Sequence, residues 1–361
     1  MKPIFYLSIL LSSLLLTSCY RKFDLEEYRT TPKMVINSAF SPDTVVMASI
    51  SRTWFHSESK PDVTIRNAKV ELYIDGIFKE EMPWKEYSYW KSSRWFGEDR
   101  GGWVTDTLYI SNTVPLPGQT VKIVASTPEY GTASAEDKIP SKTEIKGLRI
   151  IPRKEATGNG GTLVDGDGNI SYIEENDVLI YQITFQDTPG KSNYYSLQIW
   201  GDDDHLGVLL DFSVDPVFTQ QQGILDEVFG PSMVNWRGRV FSDELFDGKE
   251  YTLQVKEQLR SDTKYYTKRH IRLYSLSEPY YQYLLSLQNI ENEGIMGGLT
   301  NVGLAEPVQI YSNVEGGTGI AGGCQWFESL VDIKDLIKER AKKHISIANQ
   351  IFISLLCTRF T

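Results

Sequence analysis

Short apolar or alternating runs separated by turn residues are the feature that most constrains the fold. Between Lys33 and Ile139 turn signals such as Ser41-Pro42-Asp43 and Asp75-Gly76 separate them, and no convincing amphipathic helix intervenes. The runs include Met34-Val35-Ile36, Val45 to Ile50, Ala68 to Ile74, Thr107 to Ile110, Thr120 to Ala125 and Gly131 to Ala135. Six or seven strands at this spacing predict an antiparallel β-sandwich of immunoglobulin-like size over residues 33–140.

A second β-rich domain is predicted over residues 141–330. Pro140 ends a strand, and strand-like runs resume at Ile145 and continue to about Tyr274. One helix is predicted near residues 277–290, where Ser277 is an N-cap, Pro279 lies in the first turn and apolar residues recur at helical spacing. Residues 214–237 are interpreted as a loop with a second, short helix. The predicted fold class is therefore mainly β with one or two helices.

The N-terminus has the pattern of a lipoprotein export signal. Lys2 precedes a short apolar run that ends in Leu16-Thr17-Ser18-Cys19, which predicts a signal peptide over residues 1–18. Acylation of Cys19 would anchor the protein to membrane lipid, and the polar residues up to Pro32 would form a lipidated tether over residues 19–32. The alternative is an ordinary signal peptide with an accidental cysteine.

Charge and cysteine usage narrow the partners. A net charge of −10 argues against a nucleic-acid partner. After lipidation of Cys19 only Cys324 and Cys357 remain, so a disulfide framework is excluded, and whether those two pair is open. Residues 331–361 form a basic and then apolar tail that is too short and too polar for a spanning helix.

Tryptophans concentrate in residues 84–103. Trp84, Trp90, Trp95 and Trp103 lie there among other aromatic and charged residues. Exposed aromatic rings suit sugar rings or protein partners, whereas in a hairpin they often form cross-strand pairs. Both interpretations stay open, and the four tryptophans are the candidate partner- or ligand-binding residues.

Two oxygen-rich segments resemble metal loops only in part. Asp165, Asp167 and Asn169 open a calcium-like pattern, but Ile170 replaces the required glycine and Asn176 the bidentate glutamate. A plain turn is favoured there, as is a solvated hairpin tip at residues 202–205. We expect no metal and no cofactor.

A glycine-rich segment near the C-terminus fits a nucleotide fingerprint by spacing alone. Gly317, Gly319 and Gly322 satisfy G-x-G-x-x-G, yet they occur late in a β-rich chain and the acid expected about 20 residues later is missing. Close packing of a glycine-rich strand against another backbone is the favoured interpretation. Metalloprotease, serine-hydrolase and Walker signatures do not occur in the sequence.

Several segments together resemble a family of uncharacterised Bacteroidota lipoproteins, domain-of-unknown-function family 4249. The resemblance extends from Cys19 to about Gly323 and is carried by the lipobox, Pro115 to Pro140, Phe241 to Tyr251, Leu276 to Leu284 and Glu306 to Gly319. It implies a lipoprotein with an N-terminal immunoglobulin-like domain, often encoded beside a TonB-dependent receptor. Recognised members end soon after the glycine segment, so residues 331–361 depart from the family pattern.

These observations predict a non-enzymatic accessory protein of a TonB-dependent transport system. The expected location is the outer membrane, lipid-anchored through Cys19, on the cell surface or facing the periplasm. The expected partners are membrane lipid and a TonB-dependent receptor. Alternative functions are a stand-alone surface module that binds a glycan or peptide and a hydrolase whose paired carboxylates converge only in space.

Overall fold

The fold is mainly β, as the sequence predicts. The computed structural model describes residues 26, 29–55, 57–59, 61–91, 94–95, 98–99, 102–164, 170–201, 208–219, 234–235, 239–259, 267–291 and 309–337. Cys19, the signal peptide, most of the tether, the calcium-like loop at residues 165–169, residues 202–207 and the tail beyond residue 337 lie outside this description.

Ten strands belong to the first part of the chain: β1 Met34–Phe40, β2 Met47–Arg52, β3 Lys69–Ile74, β4 Ile77–Glu81, β5 Trp84–Lys91, β6 Arg94–Trp95, β7 Glu98–Asp99, β8 Gly102–Ile110, β9 Thr120–Thr127 and β10 Gly131–Lys138. The sheet β10-β9-β3-β4 shares one hydrophobic cluster with β1 and β2. The strands alternate as the sequence predicts: β9 buries every second residue, including Val121, Ile123 and Ala125. We call this part the N-terminal unit; its immunoglobulin-like likeness stays a prediction.

The other elements are β11 Ile145–Val164, β12 Ile170–Gln186, β13 Tyr194–Gly201, β14 Leu209–Asp211, α1 Pro216–Thr219, β15 Val234–Asn235, β16 Arg239–Ser242, β17 Glu250–Gln258, β18 Lys268–Leu276, α2 Glu278–Glu291 and β19 Thr318–Asp332. The sheet β11-β12-β17-β14-β15 and the strands β13, β16 and β18 share a second hydrophobic cluster. We call this part the C-terminal unit. Helix α2 packs outside that core, where its residue Tyr281 forms a smaller hydrophobic cluster with Val240, Leu276 and Cys324.

The helix prediction at residues 277–290 is confirmed in detail. Ser277 directly precedes α2, and its hydroxyl accepts a hydrogen bond from the backbone N–H of Tyr280 at 3.3 Å. Such a bond satisfies one of the amide groups that an α-helix leaves unpaired at its start. Pro279 lies in the first turn, where its missing N–H costs no helical hydrogen bond.

One strand joins the two units. The first part of β19 pairs in parallel with β1, from Thr318 opposite Val35 to Gly323 opposite Phe40. The second part pairs antiparallel with β18, from Cys324 opposite Leu276 to Asp332 opposite Lys268. An eight-stranded sheet in the order β16-β13-β18-β19-β1-β2-β8-β5 therefore runs through both units.

Candidate functional site

The tryptophan-rich segment forms a two-stranded ribbon. Strands β5 and β8 pair antiparallel over eight residues, from Trp84 opposite Tyr109 to Lys91 opposite Gly102. Tyr109 fastens the base of the ribbon because its side chain is buried, its hydroxyl donates to the Ile65 carbonyl at 3.0 Å and the N–H of Ala68 donates to that hydroxyl. Burial raises the pKa of the Tyr109 hydroxyl, which keeps this group a neutral donor.

Exposure of the ribbon's aromatic side chains increases away from this base. Trp84 is 44% exposed, Tyr87 50% and Trp103 72%. Strand β5 ends the order of the eight-stranded sheet among the described strands, so one side of the ribbon has no neighbouring strand there. Large aromatic side chains exposed on the outermost two strands of a sheet are a liability for a monomer and are typical of contact surfaces.

The register brings two of the predicted tryptophans together. The backbone of Trp90 lies opposite Trp103, and Trp95 belongs to the short strand β6. The side chains of Trp90 and Trp95 lie outside the described residues. For Trp90 and Trp95, both cross-strand packing and partner contact therefore remain predictions. Trp84 and Trp103 are exposed side chains on the ribbon.

Strand polarity tells where the ribbon points. Tyr109 lies opposite Ala48, and β2 runs from there to Arg52 at the end where residues 29–33 enter the N-terminal unit. From Tyr109 back to Gly102, β8 extends about 23 Å, whereas β2 extends about 13 Å in the same direction from Ala48 to Arg52. The ribbon is therefore longer than β2 on this side. The far end of the ribbon is thus directed toward the side on which the chain leaves for Cys19.

Residues before β1 are held against the loop that follows β2. The guanidinium of Arg29 donates to Glu26 at 2.8 Å and to Ser57 at 3.0 Å, and lies 5.1 Å from the ring centre of Phe55. Arg29 also approaches Glu58 at 3.4 Å. The predicted tether therefore meets the folded body at the loop after β2, which is described at residues 53–55 and 57–58.

A buried carboxylate connects the two units. Asp137 at the end of β10 accepts the hydroxyl of Ser277 and the backbone N–H of Gly323 at 2.8 Å, while its other oxygen accepts the N–H of Lys138 at 2.7 Å. Burial raises the pKa of the Asp137 carboxyl, and the three hydrogen bonds oppose that rise. One side chain thus holds together a strand of the N-terminal unit, the cap of α2 and the strand shared by both units.

A patch of aromatic and charged side chains lies on the outer face of the C-terminal unit. In β18 the alternate residues Ile271 and Leu273 point into the core, so His270 and Arg272 point the other way. The Arg272 guanidinium lies 4.9 Å from the ring centre of Trp200 and 5.0 Å from that of Trp326. We call the set Trp200, His270, Arg272, Tyr274, Trp326 and Glu328 the indole–guanidinium platform.

Hydrogen bonds fix the platform in one arrangement. Glu328 accepts from Arg272 at 2.9 Å, shares a 2.7 Å hydrogen bond with His270, and Arg272 also donates to the hydroxyl of Tyr274 at 2.9 Å. The His270 ring stacks on that of Trp200 with 5.1 Å between ring centres. Sequence reasoning missed this patch, although the alternation of polar and apolar residues in β18 indicates one outward-facing row.

In the part of the chain that the structure describes, three acidic side chains converge near the loops that flank β13 and β16. Asp187, Asp243 and Asp247 bring carboxylate oxygens within 4.8 Å of one another. Each already accepts hydrogen bonds: Asp187 from Tyr195 at 2.5 Å, Asp243 from the N–H of Asn193 at 2.8 Å and Asp247 from the N–H of Gly190 at 3.3 Å. Burial and then the nearby Asp187 charge raise the pKa of Asp243, although its hydrogen bonds with Asn193 oppose this. We interpret this cluster as a fastening between two loops.

The glycine-rich segment is a packing device. Gly319 and Gly322 lie within β19 and Gly317 directly precedes that strand, so the segment does not form the turn between a strand and a helix that a phosphate-binding loop needs. A Cβ at Gly319 would lie 2.2 Å from the carbonyl oxygen of Ile36, and one at Gly322 would lie 2.5 Å from the Tyr280 ring. The glycines let β19 approach β1 and α2 closely, as the structural interpretation predicts.

No helix among the described residues has the length and apolar character needed to cross a membrane. A comparison with functionally curated proteins gives no match. The sequence model of the family described as "Domain of unknown function (DUF4249)" matches residues 20–329, which comprise most of the chain and end within β19. The resemblance noted in the sequence is thereby confirmed, and the chain belongs to this family of unknown function.

Proposed function

We propose that the protein is a non-enzymatic, lipid-anchored accessory of a TonB-dependent transport system in the outer membrane. In this proposal Cys19 carries the lipid, and the protein faces either the periplasm or the cell exterior. The ribbon β5/β8 captures the membrane-embedded receptor. The lipobox motif, the family resemblance and the geometry of the ribbon support the proposal.

Exposure of Trp84 and Trp103 is the observation that carries it. Both side chains lie on a ribbon whose far end is directed toward the tether side, where a receptor in the same membrane would lie. A tryptophan contributes roughly 150–250 Å² of surface, of which 72% is accessible at Trp103. Covering that area would stabilise a complex by about 3–4 kcal/mol, which is in the range of interface hot spots.

In-cell photo-crosslinking at position 103 tests the proposal. A photoreactive amino acid replaces Trp103 in one variant and Leu116 in the matched control; Leu116 is 62% exposed on the loop between β8 and β9. We expect position 103 to crosslink to an outer-membrane barrel and position 116 not to do so. Recovery of the bait alone from both positions would contradict receptor capture.

A second measurement separates binding from packing. If the ribbon is a contact surface, Trp84→Ala and Trp103→Ala should each weaken receptor capture by on the order of 30-fold, since truncating a hot spot costs about 2 kcal/mol or more. The melting temperature should stay close to that of the wild type, because exposed residues change stability by about 0.5 kcal/mol or less. A large loss of stability would instead identify cross-strand packing as their role.

Glycan binding is a second candidate function, and the indole–guanidinium platform favours it. Aromatic ring faces suit the apolar faces of sugar rings, while Arg272, His270 and Glu328 offer partners for hydroxyl groups. The test is calorimetric titration of the protein with soluble mannan, xylan and β-glucan. Binding that is lost in Trp326→Ala supports this function, whereas no heat with any of the three argues that the platform only stabilises the sheet.

A further inference from the structure

We propose that the loop after β2, described at residues 53–55 and 57–58, is a membrane-contact surface, with the indole of Trp54 seated among the lipid headgroups. This inference deepens the proposed function and rests on anchoring through Cys19. Trp54 is 52% exposed, although it lies between Thr53 and Phe55, which are both partly buried. The loop therefore presents one large amphipathic ring to solvent while its neighbours hold its backbone.

The chain itself brings this loop to the membrane side. Lys33 and Thr53 exchange two hydrogen bonds, at 2.8 Å from the N–H of Thr53 to the Lys33 carbonyl and at 2.9 Å from the N–H of Lys33 to the Thr53 hydroxyl. Arg29 is held to the same loop through Ser57 and Glu58. The chain that leads to Cys19 is thus fastened next to Trp54, which in this proposal keeps the loop on the membrane side.

Chain length limits how far that membrane can be. Arg29 follows Cys19 by ten positions. Even fully extended, ten residues span at most about 33–36 Å. The loop after β2 is the part of the body to which the chain leading to Cys19 is attached, so in this proposal it lies within about 33–36 Å of the lipid surface.

The chemistry of the loop fits a lipid interface. A groove of about 280 Å³ lies beside Trp54 and is lined by Thr30, Pro32, Lys33, Thr53, Phe55, Glu58 and Thr318. Indole rings concentrate at membrane interfaces because their body is apolar and their N–H needs a polar partner. The exposed Lys33 lies along the same groove, where its ammonium can reach lipid phosphates while its methylene stem covers apolar surface.

Charges at this loop also suit lipid headgroups. Glu58 is occupied by Arg52 at 2.9 Å and by the N–H of Phe55 at 3.1 Å, and Glu26 by Arg29. Hydrogen bonding to Arg52 and to Phe55 lowers the pKa of Glu58, so this carboxylate stays charged and paired. The carboxylates of Glu26 and Glu58 are therefore compensated by arginines. This leaves the negative charge near Lys33 low, which suits the phosphates of zwitterionic and anionic lipids.

The test uses the full lipidated protein in vesicles of phosphatidylethanolamine and phosphatidylglycerol. An environment-sensitive dye is attached at Trp54→Cys and, as the matched control, at Leu116→Cys, both in a background that carries Cys357→Ser. Cys324 does not compete, because it is buried and burial raises its thiol pKa to about 12. We expect a blue shift and quenching by brominated lipids at position 54, and neither effect at position 116.

Two outcomes overturn the inference, and they are distinguishable. If the protein floats with the vesicles through Cys19 but the dye behaves alike at positions 54 and 116, lipid contact by the loop is refuted and anchoring stands. If Cys19→Ala floats as well as the wild type, lipid anchoring itself fails and the inference falls with it. A position 54 signal that needs Cys19 supports both.

Discussion

Replacing Asp137 by alanine should destabilise the protein by about 2–4 kcal/mol, because this buried carboxylate joins the two units. The substitution removes the acceptor for the hydroxyl of Ser277 and for the N–H of Gly323. Both donors belong to buried residues, and a buried donor left without a partner costs about 1–3 kcal/mol. The third donor, the N–H of Lys138, belongs to an exposed residue and is left out of the sum.

The loss of two buried hydrogen bonds sums to roughly 2–6 kcal/mol. Part of this is offset because burial already disfavours the Asp137 carboxylate, as its raised pKa indicates. We therefore expect a decrease of about 2–4 kcal/mol in the free energy of unfolding. Asp137→Asn keeps one acceptor oxygen and should lose less, about 1–2 kcal/mol.

Urea denaturation of the mature protein in detergent, followed by circular dichroism, measures this change. The matched control is Glu136→Ala, the preceding residue of β10, whose exposed carboxylate lies 3.8 Å from the Lys122 ammonium. Exposed ion pairs of this kind contribute about 0–1 kcal/mol, so the control should shift the denaturation midpoint little.

A double-mutant cycle shows whether the loss belongs to the junction. Because Asp137 and Ser277 share one hydrogen bond, Asp137→Ala combined with Ser277→Ala should cost less than the sum of the two single changes. An Asp137→Ala protein within about 0.5 kcal/mol of the wild type would refute the reasoning. Strict additivity of the two changes would show that they act independently.

Three further changes test other parts of the structure. Gly319→Ala should destabilise the protein by about 2 kcal/mol or more in thermal melts, because its φ is +112° and a Cβ would overlap the carbonyl oxygen of Ile36 in β1. The control Gly147→Ala should be nearly neutral, because its Cβ would lie 3.5 Å from the nearest atom, in Thr184. Glu257→Ala should lower the free energy of unfolding in urea titrations by about 3–5 kcal/mol, because it leaves the buried Arg269 guanidinium without its carboxylate. The control Glu155→Ala, which removes a more exposed partner of Lys256, should cost under about 1 kcal/mol, and equal losses would refute this reasoning. Burial acts to raise the pKa of Glu328, but hydrogen bonds with His270 and Arg272 outweigh it, so this pKa is lowered from 4.5. The stability that Glu328 contributes is therefore present above pH 4.5 and is lost as the pH falls through the pKa of the native state. In urea titrations at several pH values, Glu328→Gln should flatten this part of the stability profile, and an unchanged slope would contradict the assignment.

Much of the local structure could be predicted because it depends on nearby residues. Alternation in β9 and turn residues such as Gly76, which has a φ of +76°, act within a few positions of the chain. The same holds for Ser277 and the start of α2. The lengths of the strands were harder to predict from the sequence. The short runs near Ile145 and Val178 belong to two long paired strands, the 20-residue β11 and the 17-residue β12.

The sites were less predictable than the elements. The sequence shows that Trp84 and Trp103 belong to a segment rich in aromatic residues. Only the strand pairing shows that they lie on a ribbon at the edge of the sheet, directed toward the tether side. The indole–guanidinium platform gives no motif, because Trp200, Arg272 and Trp326 are far apart in the chain and meet through the register of β13, β18 and β19. The glycine motif was visible in the sequence and corresponds to close packing of β19. Asp187, Asp243 and Asp247 form no motif, because they are far apart in the chain and meet only in the fold.

By itself, the sequence determined the mainly β fold class, the capped helix and membership of the family, because periodicity, turn residues and ordered motifs are local properties of the chain. Only the tertiary structure decided that β19 serves both units and that Asp137 joins them. It also decided which aromatic and charged side chains face solvent. The physical reason is that strand register is set by hydrogen bonds and core packing between distant segments, and a shift of one residue would turn each outward side chain inward.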